Sequence, residues 1–439
     1  MVPIIILCSS IILLLLLILV VKLNAFIALI ISALFVGICN AMVLSNIIKS
    51  ISNGIGNTLG STLLILGFGV LFGSVLSETG AAQKISIGLV NLFGVKRVKV
   101  AMALTGFVVG IAMFYNAGFI ILIPLVFSVA LNTGQPLVYL GIALTSALSV
   151  THGFLPPHPG PSTIAVIFKA DIGKTLLYGI IVAIPAIIMA GLVFPEFIKK
   201  IKANPPKGMF TVTHFEAHEM PGFATSIFTA LIPIILMGIA TISTLFLPAT
   251  SSFTKTLQFI GDPGIAMLLA LLIAVFVLGI GRGIKMKILM DKSAPSLNAI
   301  TTILLLIAAG GAFKQILMDS GTGDAVVGFF KNSTLSPLVL GWLIAMLIRI
   351  ALGSATVAGL TAAGIVQPLI GPMNVSPELM VLSIGAGSLM CSHVNDTGFW
   401  MFKEYFGISV KDTFKTWSIM ETIVGTMGLI GVLALSLFL

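Results

Sequence analysis

Charged side chains are scarce in this chain. Lys, Arg, Asp and Glu make up 8% of its 439 residues, where an ordinary soluble domain carries about a quarter. With 58% hydrophobic residues and a mean hydropathy of +1.18, there is more apolar surface than a water-soluble core can absorb. Cysteine is also rare: Cys8, Cys39 and Cys391 lie in apolar segments without paired or metal-like spacing, so they indicate neither a disulfide frame nor a metal site. The H-E-x-x-H signature is missing and no nucleophile–base pair stands out, which argues against an intramembrane hydrolase. The net charge of +9 sits largely in short loops such as Lys199-Lys200-Ile201-Lys202 and Arg282-Gly283-Ile284-Lys285-Met286-Lys287. That distribution fits membrane orientation rather than a nucleic-acid footprint.

What is there instead is a series of long apolar runs. Ile4 to Val21, Ala25 to Val43, Phe223 to Leu247 and Ile265 to Ile280 approach or exceed the ~18 to 20 residues with which a helix crosses a hydrocarbon core. In lipid such segments have to be helical, because the backbone finds no hydrogen bonds outside itself. The opening Met1-Val2-Pro3 lacks the basic n-region of a secretory signal, so the first run reads as a membrane span rather than a cleaved leader.

The register that places His152 on His393, an offset of 241 residues, also places Glu78 on Asp319, Gly80 on Gly321, Asn91 on Asn332 and Pro136 on Pro377. Asp171, Lys174 and Thr175 meet Asp412, Lys415 and Thr416 in the same ungapped register. Rare polar residues and prolines carry these matches, which points to a duplication, the commonest ground plan of secondary transporters. The loop from Ser77 to Lys99 holds Lys84, Lys96, Arg97 and Lys99, whereas its counterpart from Met318 to Thr334 holds Lys331 with Asp319 and Asp324. By the positive-inside rule the first loop is cytoplasmic and the second external, as two halves of inverted topology require; a parallel repeat with noisy charge bias is the alternative. The expected fold is an all-α polytopic membrane protein with two inverted-topology repeats. Its expected parts are N-terminal transmembrane helices (1–58), a first repeat (59–196), a polar cytoplasmic connector (197–222), linking transmembrane helices (223–299) and a second repeat (300–439).

Four stretches cannot be plain spans. No Asp, Glu, Lys or Arg occurs between Lys99 and Lys169, yet Met113 to Pro124 and Thr151 to Thr163 carry amide, glycine and proline clusters. Leu352 to Gly364 and Gly385 to Trp400 repeat the theme in the second half. Proline and glycine free backbone groups, which a membrane tolerates only inside protein or along a cavity. Re-entrant hairpins or broken helices meeting at the midplane are therefore expected. Half-helix N-termini beside Ser, Thr and Asn suit an anionic or hydroxylated solute; close helix packing is the competing reading for the small residues of Gly353 to Gly364.

Apart from Glu378, which sits beside Pro377 in an expected turn, Asp396 is the only acid between Arg349 and Lys403. An ionisable group in such a setting is a functional candidate by default. It is the candidate proton-coupling residue, with a helix-capping carboxylate or a partner of Lys403 as the structural alternative. His152, His158 and His393 can bind solute, relay protons or hold a hairpin together. Candidate substrate-binding residues are Asn116, Thr151, His152, His158, Ser354, Thr356, Ser392, His393 and Asn395. Glu78 and Asp319 read as ordinary interfacial helix ends, and His214 and His218 as part of a solvated loop.

The blocks Gly67-Phe-Gly-Val-Leu-Phe-Gly73, Phe119-Ile-Ile-Leu-Ile-Pro124-Leu-Val-Phe, Leu155-Pro-Pro-His158-Pro-Gly160-Pro, Gly353-Ser-Ala-Thr356-Val and Ser392-His-Val-Asn395-Asp396-x-Gly398-Phe-Trp400, then Lys403-Glu-Tyr-Phe, occur in order between about Leu66 and Thr422. Their sequence resembles that of the gluconate:proton symporter family, carriers of sugar acids and in some cases D-serine. The resemblance implies a multi-pass inner-membrane symporter with two inverted halves, driven by a proton gradient and needing no cofactor. One departure is Asn116, where sugar-acid carriers of the family often place an acid; this puts either the coupling mode or the substrate in question. The leading expectation is proton symport of a small hydroxylated carboxylate such as gluconate. The alternatives are symport of D-serine or another small hydroxy or amino acid, and a passive anion channel. Expected partners are the anion, protons and the lipid bilayer, with association into a homo-oligomer left open.

Overall fold

The computed structural model describes residues 2–203, 215–248, 250–322, 325, 335–372, 374–394 and 396–439. His214, Lys207, Asp324, Lys331, Asn332 and Asn395 thus lie outside the described residues. Every regular element among those described is helical. Two N-terminal helices, α1 (Val2–Leu19) and α2 (Ala25–Cys39), precede the long α3 (Leu44–Glu78). Then follow α4 (Ala81–Phe93), α5 (Val98–Ala112), α6 (Tyr115–Thr133), α7 (Leu137–Phe154), α8 (Pro159–Phe168) and α9 (Ile172–Ile187). The middle of the chain supplies α10 (Phe223–Phe246), α11 (Ser252–Ile260) and α12 (Pro263–Ala274). The last stretch holds α13 (Met286–Asp319), α14 (Pro337–Leu352), α15 (Ala355–Val366), α16 (Pro377–Gly387), α17 (Thr397–Phe406) and α18 (Ile419–Leu435).

Seven helical segments among the described residues are long and apolar enough to cross a membrane, or eight counting α3, which bends by 42° between Gly60 and Thr62. The protein is therefore a multi-pass membrane protein. Its helices begin where local chemistry makes a start cheap. Pro337 and Pro377 open α14 and α16 at positions where a missing N–H costs nothing. Asp171 and Asp262 cap α9 and α12 by accepting from the N–H of Lys174 (2.9 Å) and of Gly264 (3.0 Å).

The helices divide into an inner and an outer set. Along α7 nearly every residue from Val138 to Phe154 is buried, and Val357 to Val366 of α15 are buried without exception. These inner helices are rich in Gly, Ala, Ser and Thr, whose small size lets backbones approach where no hydrophobic effect drives association. Outer helices expose large apolar side chains instead, such as Ile181 and Ile184 on α9 and Phe228 on α10.

The starts of α3, α5, α6, α7 and α8 recur in α13 to α17 within three residues of the 241-residue offset. The long pair α3 and α13 lies antiparallel. Glu78, at the end of α3, pairs with Lys292 near the start of α13 (3.0 Å), and Asp319, at the end of α13, accepts from Ser50 near the start of α3 (2.5 Å). The expected boundary at 58/59 lies beside the bend of α3 at Gly60, and that at 299/300 lies within α13.

α3 and α13 cross at backbone contact. A Cβ on Gly311 would sit 2.4 Å from the Gly54 carbonyl oxygen, and one on Gly54 would sit 2.3 Å from that of Gly311. Gly311→Val should lower stability by about 1–3 kcal/mol through overpacking. Gly56→Ala, on a face with nothing within 4 Å, should cost nothing. Thermal unfolding of the detergent-purified variants, followed by size-exclusion chromatography, measures both.

Candidate functional site

Four helices of the bundle break in pairs related by the offset. α5 stops at Ala112 and α6 restarts at Tyr115, as α14 stops at Leu352 and α15 restarts at Ala355. α7 stops at Phe154 and α8 restarts at Pro159, as α16 stops at Gly387 and α17 restarts at Thr397. The breaks fall in the four stretches whose glycines, prolines and polar residues forbade plain spans. Gly353 makes the second break feasible: it ends α14 in the left-handed region (φ 75°), which few side chains tolerate.

All four restarting N-termini face one cavity of about 450 Å³. Asn116 and Ala117 line it from α6, Pro159 from α8, Ser354 and Thr356 from α15, and Asp396 and Gly398 from α17. Ser149 and His152 of α7, Arg349 of α14, Trp417 and Glu421 add to the polar lining, as do Tyr115, Ser296 and Thr397, and Val70, Ile303 and Leu306 give it an apolar wall. A helix N-terminus carries about half a positive charge and free N–H donors. The first turn of α6 and that of α8 have no side-chain cap; in α8, which opens Pro159-Gly160-Pro161, only Gly160 brings an N–H to that face, since proline has none.

Among the described residues, the Lys, Arg, Asp and Glu side chains that are fully buried are Arg349 and Glu421, and both line this cavity. Arg349 is 3% exposed and forms an ion pair with Asp396, which is 13% exposed. It also donates to the carbonyl of Gly353, at the negative end of α14. Asp396 accepts further from the Ser392 hydroxyl and from the N–H of Gly398 (3.0 Å), so it caps α17 as well as neutralising the guanidinium. Trp417 Nε1 donates to Ser392 Oγ (2.7 Å) and fixes that hydroxyl. Lys403 does not reach Asp396; it pairs with its neighbour Glu404 (2.7 Å) and lies over the Trp400 ring.

The sequence-derived candidates divide accordingly. Asn116, His152, Ser354, Thr356 and Asp396 line the cavity. Ser392 stands one bond behind it, on Asp396. Thr151 is buried and returns its hydroxyl to Leu148 O (2.9 Å), packing where a Cβ on Gly110 would collide with it. His158 is buried and bonds through Nε2 to Gly110 O (2.6 Å); because the partner is a carbonyl, that nitrogen must be the donor. His393 does the same to Ile350 O (3.0 Å). Each histidine therefore ties a restarting segment to the end of a helix from the neighbouring break, α5 for His158 and α14 for His393. Asn395 lies outside the described residues. Arg349, Tyr115, Ser149, Trp417 and Glu421 were not singled out from sequence, although an Arg and a Glu inside apolar runs are signals in themselves.

A family model described as GntP family permease matches residues 2–438. The chain belongs to the GntP permease family. The Gnt-II system L-idonate transporter of Escherichia coli K12 is 48% identical over 434 residues, 99% of each chain. The high-affinity gluconate transporter of the same strain is 48% identical, and the gluconate permease of Bacillus subtilis 168 is 46% identical, each over 95% of both chains. In fold it resembles the Alcanivorax borkumensis YdaH transporter (TM-score 0.60, 16% identity, 90% of this chain and 88% of that one). Neisseria gonorrhoeae MtrF is similar to the same degree (TM-score 0.60, 14% identity, 89% and 84%). This permease is thus a transporter rather than an enzyme.

Breaking a buried pair leaves a charge without its partner, at a cost of about 3–5 kcal/mol. Arg349→Leu in this permease should lower stability by about 3 kcal/mol, since Asp396 keeps some solvent. The double variant Arg349→Leu/Asp396→Asn, which keeps a capping side chain and removes both charges, should recover most of that loss. Thermal unfolding of the two variants beside the wild type checks the non-additivity.

Proposed function

We propose that this permease is a secondary active transporter that imports a small hydroxylated carboxylate, gluconate or a related sugar acid, by proton symport across the inner (cytoplasmic) membrane. One observation carries the reading: a buried Arg349–Asp396 ion pair inside a cavity on which four helix N-termini converge. A guanidinium offers a carboxylate two parallel donors, and the N-termini add further positive potential. The relatives' cargoes, L-idonate and gluconate, lie in the same class.

The pair also supplies a reason for coupling. While Asp396 is ionised it occupies Arg349. A proton on Asp396 frees the guanidinium, and the carboxylate of the solute takes the vacated place. The Arg349 end of the cavity carries one positive and one negative charge before and after, so proton and anion load together and neither loads well alone. Ser354 and Thr356 add hydroxyl donors beside the incoming carboxylate. An amino acid such as D-serine would bring its ammonium toward Arg349 and four positive helix ends, which favours the sugar acid.

The same reading takes the two repeats as halves inserted with opposite topology. The antiparallel packing of α3 against α13, its counterpart at the offset, supports this, as does the excess of basic residues in the loop from Ser77 to Lys99. Alternating access then follows from rocking one half against the other about the cavity.

Proteoliposomes under an imposed inward proton gradient should concentrate radiolabelled gluconate, and a protonophore should abolish the accumulation. Asp396→Asn should reduce concentrative uptake to background. Arg349→Lys, which keeps the charge and loses the fork, should raise KM about tenfold or more. Gluconate that equilibrates without accumulating would instead indicate a passive pathway.

A further inference from the structure

The Arg349 end of the cavity accounts for a carboxylate, and leaves unexplained a set of polar groups on other elements. Tyr115 at the start of α6, His152 in the last turn of α7 and Glu421 in the first turn of α18 all line the cavity. The Tyr115 ring lies 6.2 Å from that of His152 and 5.7 Å from that of Trp417, one helical turn before Glu421. Tyr115 and Glu421 are 8% and 1% exposed. Ser149 hydrogen-bonds to the Glu421 carboxyl. Yet the Tyr115 hydroxyl, His152 Nδ1 and Glu421 Oε2 are buried atoms with no hydrogen-bond partner among the described residues.

Buried polar atoms are nearly always paired, because leaving one unpaired forfeits its hydration without return. Three such atoms gathered on one cavity are hard to reconcile with a purely structural role. They form a mixed set: a phenol that donates or accepts, an imidazole nitrogen that does either according to tautomer, and a carboxyl oxygen that accepts. A hydroxyl needs both a donor and an acceptor, whereas a carboxylate wants donors only.

We infer that Tyr115, His152 and Glu421 form a hydroxyl-recognition wall, a subsite that binds the hydroxyls of a polyhydroxylated acid whose carboxylate is held at Arg349. The inference rests on the sugar-acid reading above and adds what that reading lacks, a means of telling a sugar acid from a plain fatty acid of the same length. A site built to bond a hydroxyl rejects an analogue lacking it, since its own buried groups are then left unpaired. Glu421 and Tyr115 become the specificity-determining residues, and Arg349 the anchor common to every carboxylate.

The test is displacement of radiolabelled gluconate from purified full-length protein by each mono-deoxy gluconate, in the wild type, Tyr115→Phe and Glu421→Gln. The wild type should bind at least one deoxy analogue about tenfold or more weaker than gluconate. The variant that loses the partner of that hydroxyl should bind gluconate weaker by a similar factor, and should bind the analogue within about twofold of the wild type. Such non-additivity marks direct contact. Losses that add for every analogue in both variants would overturn the wall and leave the anchor standing. Equal wild-type affinity for gluconate and all deoxy analogues would overturn it without recourse to any variant. A folded wild type that binds none of these acids would sink the sugar-acid reading and the inference together.

Discussion

A guanidinium enclosed in an apolar helical bundle has to be neutralised on the spot, and the arrangement around the cavity answers that demand. Removing such a charge from water costs several kcal/mol even after the surroundings relax. Arg349 is met by the Asp396 carboxylate and by the Gly353 carbonyl at the negative end of α14. Asp396 in turn can stand there because the chain restarts as α17 immediately after it, offering the Gly398 N–H, and because the Ser392 hydroxyl, itself held by Trp417, donates to its other oxygen. The break in the helix and the ion pair thus require each other: a continuous helix would supply neither the free carbonyl nor the free amide.

Breaks at that depth are tolerable only if the surrounding helices enclose them. This is where the small residues of α7, α15 and α16 matter. Gly385 approaches the Gly153 carbonyl, and Gly387 that of Trp342, so closely that a Cβ would lie 2.3 Å from either oxygen. Contact of that kind keeps lipid away from the freed backbone groups. The histidine clamps serve the same end. His158 and His393 each cross from a restarting segment to a carbonyl near the end of another interrupted helix, Gly110 in α5 and Ile350 in α14.

Much of this was legible before any coordinates. Proline and glycine punctuation located all four breaks, because those residues act on the backbone locally, and the offset joining His152 to His393 anticipated which breaks correspond. Asp396 stood out as an acid where acids are costly. Its partner did not: Arg349 lies 47 residues earlier, and a pairing across that separation is set by how α14 and α17 meet. Lys403, near in sequence, was the local guess and faces away to Glu404. The register also pairs His152 with His393, yet in space His393 does the work of His158, and His152 turns to the cavity instead. Repetition preserves the backbone plan more faithfully than the duty of any one side chain.

Asn116 shows how the site's charge is set by more than its ion pair. The family resemblance leads one to expect an acid there, and the residue stands in the uncapped first turn of α6, facing the cavity. A carboxylate at that position would be drawn to the helix N-terminus and would repel an incoming anion across the same small space. An amide keeps both a donor and an acceptor for hydroxyls while removing that repulsion. With Asn116 the cavity's acids are Asp396, which is paired, and Glu421, which Ser149 satisfies in part. The positive potential of four helix ends then meets less opposition within the cavity, so an amide at this position is compatible with the anion binding proposed above.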